Sequence, residues 1–313
     1  MLSLVIPVYK NEDTIPALLD ALTKLHERLG RSLEVIFVVD GSPDGSHDLL
    51  RRSLPDRPFS SELVSLSRNF GSFAAMRTGL SVGRGPYFAV MAADLQEPSE
   101  LIDAFFAALR EDQVDVVFGQ RQDREDPIVT KFSAQIFWAL YRRFVNRDIP
   151  VGGVDVFACN RTVRDSLLRL EEVNSSLIGQ LFWLGFRRKY VPYTRGPRHG
   201  GSKSAWTWRK KYHYMMDSIF AFTDLPITLL LAVGVLGIVA STGISIIVFI
   251  SWLMGAIPVM GYTPIMLMIG FSTSLLLLGM GILGGYLYRT FENTKRRPLA
   301  LLMQHESFRK DPP

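Results

Sequence analysis

Leu2-Ser-Leu-Val-Ile-Pro-Val8, followed at once by Tyr9-Lys-Asn-Glu12, decides how the N-terminal part of the chain folds. A short, nearly unbroken apolar run that gives way to polar residues is the pattern of a strand buried on both faces and ending in a loop. The pattern recurs at Leu33 to Val39, Leu63 to Leu66, Tyr87 to Met91 and Val114 to Phe118. Between these runs, Ile15 to Leu29, Ser46 to Arg52, Phe73 to Val82 and Ser99 to Arg110 have helical spacing, several with Asp, Ser or Pro near their starts. Repeated strand and helix units predict an α/β fold with a doubly wound, mostly parallel sheet. Ligands of such sheets bind beyond the carboxyl ends of the strands. The five strand ends carry Tyr9-Lys-Asn-Glu12, Asp40-Gly-Ser42, Ser67-Arg-Asn-Phe-Gly71, Asp94-Leu-Gln96 and Gly119-Gln-Arg121.

Further on, the pattern predicts a helix over Ile128 to Phe144, a strand near Val154 to Cys159, helices over Arg161 to Arg169 and Leu177 to Leu184, and a strand near Lys189 to Tyr193. The solvent then changes. From Leu225 to Tyr288 the chain of 313 residues carries no Asp, Glu, Lys, Arg or His. Gly255, Pro258, Gly261 and Pro264 split this stretch into Ile227 to Leu253 and Ile265 to Tyr288. Each run exceeds the roughly 20 residues that a helix needs to cross the hydrocarbon core. Trp206 to Phe222 mixes aromatic and basic residues and reads as an interfacial amphipathic helix.

The expected organisation is a catalytic domain over 1–205, an interfacial helix over 206–224, a two-helix transmembrane hairpin (225–253 and 264–288) and a basic tail over 289–313. Arg209, Lys210 and Lys211 precede the hairpin, and Arg289, Lys295, Arg296 and Arg297 follow it, which places both ends in the cytoplasm, in a bacterial case at the inner membrane. Met1 to Tyr9 has no basic start and is broken by Pro7, unlike a signal peptide. The small residues Gly279, Gly281, Gly284 and Gly285 form a candidate surface for a homo-oligomer.

Several chemistries are excluded. The formal charge of +5 is concentrated beside the apolar runs and around one loop, which suits anionic lipid and phosphate rather than nucleic acid. The single cysteine, Cys159, rules out an intrachain disulfide and reads as core. No G-x-G-x-x-G follows the first strand, and Gly196 to Lys203 misses the P-loop pattern because Ser202 stands where Lys is required. The five His lack zinc-ligand spacing.

What remains fits a nucleotide diphosphate, whose charge calls for a hard cation held by oxygens, for basic side chains, or for both. Asp94 and Gln96 offer two oxygens just past a strand and are candidates for holding Mg²⁺ or Mn²⁺. Glu12, Asp40 and Ser42 are placed to hydrogen-bond a base and ribose, with Pro7 and Tyr9 as an apolar wall; ordinary turn chemistry accounts for any one of them alone.

These residues, Ser3-Leu-Val-Ile-Pro-Val-Tyr9 with Asn11-Glu12, Val39-Asp-Gly-Ser42, Ser67-Arg-Asn-Phe-Gly71, Ala93-Asp-Leu-Gln-Glu-Pro98 and Arg198-x-x-Gly201-Ser-Lys203, resemble family 2 glycosyltransferases of the polyisoprenyl-phosphate type. Dolichyl-phosphate mannose synthases and bacterial undecaprenyl-phosphate glucosyltransferases with two C-terminal spans are similar in kind. The resemblance covers essentially the whole chain. It implies a GT-A fold, a divalent metal, and an inverting transfer from a nucleotide-diphosphate sugar to a polyprenyl phosphate, with UDP-glucose as the expected donor ahead of other UDP-hexoses and GDP-mannose.

It also implies roles: Pro7, Tyr9, Glu12, Asp40 and Ser42 on the nucleoside, Arg68 near the donor, and Asp94 and Gln96 on the metal. Arg198, Ser202 and Lys203 would close over the diphosphate, and Arg121, Arg124, Lys131 and Ser133 would receive the lipid phosphate. The chemistry of that acceptor agrees independently. A phosphate monoester, with a second pKa near 6, is already a dianionic nucleophile at neutral pH, so it needs aligning donors such as Arg121 and Arg124 rather than a general base.

One departure stands out: the usual Asp-x-Asp-x-Gln reads Ala92-Ala-Asp94-Leu-Gln96, with one carboxylate missing. Two other readings follow. One is a membrane glycosyltransferase acting on a sugar hydroxyl, against which stands the absence of a Gln-x-x-Arg-Trp motif, Gln180 being followed by Leu-Phe-Trp. The other is an inactive nucleotide-sugar-binding scaffold, motivated by Ala92.

Overall fold

A computed structural model describes residues 1–111, 113–121, 149–150, 154–172, 174–196, 216–223, 225–254 and 262–310. Its first strand, β1 (Leu2–Val8), explains the apolar run: Leu4, Ile6 and Val8 enter one core layer, while Val5 enters the other. Both faces are covered, so no position on the strand is free to be polar except Ser3, whose hydroxyl donates to Glu34 at 2.5 Å. β2 (Leu33–Val39) and β4 (Tyr87–Val90) flank β1 in parallel, and β3 (Ser60–Leu66) lies parallel beyond β2.

Helices α1 (Ile15–Arg28) and α4 (Ser99–Arg110) cover one face with Leu18, Leu22, Phe105 and Phe106. α2 (Ser46–Ser53) follows β2. α3 (Ser72–Val82) covers the other face, and it comes so close to β1 that a methyl on Gly79 would lie 2.2 Å from a Val5 methyl. Truncating a large side chain in either layer to Ala is worth about 2–5 kcal/mol.

Parallel pairing predominates, as the sequence predicts, but the sheet is mixed. β5 (Val116–Arg121) does not neighbour β4, because β6 (Val154–Asn160) inserts between them antiparallel to both, and β7 (Arg188–Tyr193) pairs with β5 in parallel. The order is β7-β5-β6-β4-β1-β2-β3-β8, with β8 at Leu302–Phe308. An apolar run reveals burial but not strand direction, which is why β6 could be located and not oriented. α5 (Arg161–Leu168) and α6 (Leu177–Trp183) follow β6 and pack on the α3 side.

The edge strand β8 (Leu302–Phe308) is antiparallel to β3 and is formed by a stretch predicted as tail. Its residues alternate between part-exposed and exposed, so no apolar run marks it. The start of β3 was equally hidden, since Ser60, Ser61 and Glu62 are polar although Ser61 and Glu62 are buried.

Two long apolar helices precede β8: α7 (Leu225–Leu253) and α8 (Tyr262–Thr294). Among the described residues, Phe271–Thr294 is long and apolar enough to cross a membrane, and the bent pair Met216–Phe222 and Leu225–Gly237, at 79°, passes the same test jointly. Their large apolar side chains point outward, with Leu236 68% and Phe271 71% exposed. Gly279 and Gly285 of the candidate oligomer surface already face this chain, 3.3 Å from Leu230 and Phe220 for an added methyl, whereas Gly281 and Gly284 face open space.

Of the stretch predicted as an interfacial helix, Met216–Phe222 is described and is helical, and the helix predicted over Ile128 to Phe144 lies outside the described residues. The short helix seats Phe222 against Gly179 of α6, and Arg289 of α8 donates to Asp217 (2.7 Å) and to the Asn174 carbonyl (3.2 Å).

Candidate active site

The carboxyl ends of β1 and β2 are tied into one unit by short polar side chains. The Lys10 N–H donates to Ser42 Oγ (2.8 Å), and Ser42 Oγ donates to Asp44 Oδ1 (2.6 Å). Glu12 N–H reaches Asp44 Oδ2 (3.2 Å), and the Glu12 carboxylate accepts from the Gly45 N–H (2.7 Å) at the start of α2, where negative charge is favoured. Asn11 accepts from the Tyr9 N–H (2.9 Å), which shapes a turn with Lys10 at φ 57°.

Burial pushes the Asp44 carboxyl up, but hydrogen bonds from Ser42, Ser46 and the Glu12 backbone outweigh it, so the pKa falls below the usual carboxylate value. Thus Glu12 and Ser42, expected on the nucleoside, also brace the loops, and Asp44 emerges as their common anchor. Its signal was present in Asp40-Gly-Ser-Pro-Asp44, whose second Asp is suited to an Asx turn.

Asp40 is 3% exposed. Its two oxygens accept from Phe70 N–H (2.7 Å) and Gly71 N–H (2.8 Å), so it holds the loop that follows β3. Gly41, at φ 55°, lets that loop lie directly on the turn: a Cβ there would be 2.3 Å from the Arg68 carbonyl carbon. Arg68 itself is exposed, with its guanidinium 4.1 Å from the centre of the Phe70 ring.

Past β4, Thr14 Oγ1 donates to the Ala93 carbonyl (3.0 Å) and joins the β1 side to the Asp94 turn. Leu95 lies at φ 56°, a left-handed conformation uncommon for a branched apolar residue, between the part-buried Asp94 and Gln96. Gln96 Nε2 donates to the Gly196 carbonyl (3.3 Å), and Gly196 N–H returns a bond to the Gln96 carbonyl (2.8 Å). The buried Glu97 pairs with Arg195 (3.7 Å), a link that sequence reading missed. Together these bring the segment after β7 onto the Asp94 turn. Arg121 ends β5 in register with Tyr193 of β7, on the same side of the sheet.

Arg124, Lys131, Ser133, Arg198, Ser202 and Lys203 lie outside the described residues. Pro7 pairs with Val38 and is half-buried beside Tyr9. Cys159 is buried and its thiol is pushed up to about 12 by that burial, so it packs rather than reacts.

Asp94 and Gln96 offer oxygen donors to a divalent cation. Gln96 Oε1 is buried without a hydrogen-bond partner among the described residues, and the Asp94 carboxylate lies two residues away. No cluster of three or more His, Cys, Asp or Glu suited to a metal occurs among the described residues. The donor set therefore fits a hard cation that takes its remaining oxygens from a bound diphosphate and water.

Residues 3–170 match the glycosyl transferase family 2 profile. The chain belongs to that family. An uncharacterised glycosyltransferase of Synechocystis is 31% identical over 96% of this chain and 94% of its own length. A prophage bactoprenol glucosyl transferase homologue of Escherichia coli K12 is 27% identical over 95% of this chain and 96% of its own. A crystal structure of glucosyl-3-phosphoglycerate synthase from Mycobacterium tuberculosis, with Mn²⁺ and UDP-glucose, is similar at a TM-score of 0.45 and 17% identity, over 66% of this chain and 72% of that one. The mixed sheet of this glycosyltransferase carries its polar loops at the carboxyl edge of β1 to β4.

Proposed function

We propose that this glycosyltransferase moves a hexose from a nucleotide-diphosphate sugar, UDP-glucose being the expected donor, to the phosphate of a polyprenyl lipid such as undecaprenyl phosphate. The observation that carries the proposal is the extent of the likeness: bactoprenol glucosyl transferases match 95% of this chain, apolar helices included. In this reading α7 and α8 form a transmembrane hairpin with both ends cytoplasmic, Met216–Phe222 continues an interfacial helix, and the sugar-lipid serves assembly of cell-envelope glycans.

The donor lies across the carboxyl edge of the sheet, with its nucleoside against Pro7, Tyr9, Glu12, Asp40 and Ser42 and its diphosphate near Arg68 and the loop carrying Arg198, Ser202 and Lys203. Mg²⁺ or Mn²⁺ held by Asp94 and Gln96 would neutralise charge on the departing diphosphate. A phosphate oxygen of the acceptor forms the bond to the anomeric carbon as the bond to the nucleotide breaks, and the electron pair leaves with the diphosphate. No proton has to be removed. Arg121, Arg124, Lys131 and Ser133 align the acceptor phosphate by charge-assisted hydrogen bonds.

The product distinguishes this reading from attack by a sugar hydroxyl. A glycosyl phosphate of inverted anomeric configuration, released by mild acid and visible by ³¹P NMR as a phosphodiester, is the expected outcome. An acid-stable glycoside would contradict it.

A further inference from the structure

The C-terminal strand does more than close the sheet edge. The Ser67 N–H donates to the Leu301 carbonyl (2.9 Å), and Leu66 is in register with Leu302. Ser67 is the first residue of the Ser67–Gly71 loop whose far end Asp40 grips through Phe70 and Gly71. That loop is therefore held at one end by the turn after β2, and at the other by a residue that follows both apolar helices.

β8 is fastened along its whole length. His305 Nε2 lies 2.9 Å from Glu62 Oε2, and Ser307 Oγ donates to Glu62 Oε1 (3.0 Å). Glu62 is buried, and the Arg84 guanidinium that reaches it (3.0 Å) also serves the fully buried Glu34 (2.7 Å). Two buried carboxylates thus share one guanidinium, and β8 supplies two further donors to Glu62. Removing those donors leaves buried negative charge short of partners, which is costly. Outside the sheet, Arg51 pairs with Glu306 (3.0 Å), Lys310 N–H donates to Ser60 Oγ (3.0 Å), and Phe308 packs on the core.

We infer that β8 is a positioning element of the donor site, holding the Arg68 loop from the outer edge as Asp40 holds it from within. The donor site is complete only when the chain has passed through α7 and α8 and returned. This rests on the proposed donor role of the Arg68 loop. It also sets a rule for the protein: the family-matched segment 3–170 lacks a strand that its own site requires.

The test uses the full chain in detergent, a chain ending at Pro298, and the pair His305→Ala and His305→Gln. UDP affinity is measured by calorimetry, and exchange of the Ser67 amide by mass spectrometry. Ending the chain at Pro298 is expected to weaken UDP binding about tenfold and to expose the Ser67 amide, and a synthetic peptide spanning 299–310 is expected to restore both. His305→Ala is expected to weaken binding about threefold, with His305→Gln, whose amide still donates to Glu62, near wild type. This pair carries the test if the shortened chain does not fold.

Exposure of Ser67 without loss of UDP affinity, loss of affinity with Ser67 still protected, or no change in either overturns the inference. Absence of UDP binding by the wild-type chain overturns the donor reading instead, and is told apart because it does not depend on β8.

Discussion

Asp40→Asn is the most informative single substitution, because the residue is buried and both of its oxygens are committed to backbone N–H groups at 2.7 and 2.8 Å. Asparagine keeps the shape and one acceptor but turns an NH₂ group toward the other N–H. One charge-assisted bond, about 1.5–3 kcal/mol, is lost, and a donor is left facing a donor at about 1–3 kcal/mol more. Relaxation of the exposed loop returns part of this, so we expect a destabilisation of about 2–4 kcal/mol. The loop from Ser67 to Gly71 loosens, and nucleotide affinity falls by about tenfold or more, since that loop must then be ordered on binding. Urea unfolding followed by tryptophan fluorescence, with nucleotide titration of the same protein, reads both effects. A variant within about 0.5 kcal/mol of wild type and with unchanged affinity would refute the assignment of Asp40 as the brace of this loop.

Three further expectations follow from the same geometry. Gly79→Ala places a methyl 2.2 Å from Val5 between α3 and β1, and a loss of about 1–3 kcal/mol or more should appear in denaturant midpoints. Asp115 is held below the usual carboxylate value of 3.8 by hydrogen bonds from Arg187, so its contribution is complete above that unfolded-state value and is lost as pH falls through the lower folded value. The Tm deficit of Asp115→Asn should therefore be largest at neutral pH and shrink below pH 3.8, whereas a deficit independent of pH would contradict the pairing. Asp94→Ala should abolish metal-dependent turnover by about a hundredfold or more while leaving the fold intact by circular dichroism, and full metal-dependent turnover in that variant would remove Asp94 from the metal site.

The parallel centre of the fold was legible because β1 and β2 are buried on both faces, and an unbroken apolar run has no other economical reading. The strand ends were legible for the same reason, since polar residues directly after such runs must sit at the carboxyl edge. Direction and partnership were not. Val154–Asn160 reads as a strand, but nothing local says that it inserts antiparallel between β4 and β5. β8 was hidden because an edge strand that carries His305, Glu306 and Ser307 looks like tail, and its worth comes from Glu62, 243 residues away in sequence from His305.

At the strand ends, the polar residues were readable and their hydrogen-bond partners were not. Asp40 stood out as a polar strand end, yet its partners lie 30 and 31 residues downstream, and only the fold brings them together. Glu97 and Arg195 were passed over singly, because a buried ion pair is visible only as a pair. Leu95 carried no sequence signal of its left-handed backbone.

Transfer to the lipid phosphate is read by incubating the purified chain in detergent with undecaprenyl phosphate, Mg²⁺ or Mn²⁺ and a panel of radiolabelled nucleotide sugars, with and without EDTA, and following label into the organic phase. Transfer from one donor, UDP-glucose first among them, abolished by EDTA and absent when undecaprenol replaces its phosphate, is the expected result. Folded protein that moves no label from any donor to the lipid phosphate would contradict the account.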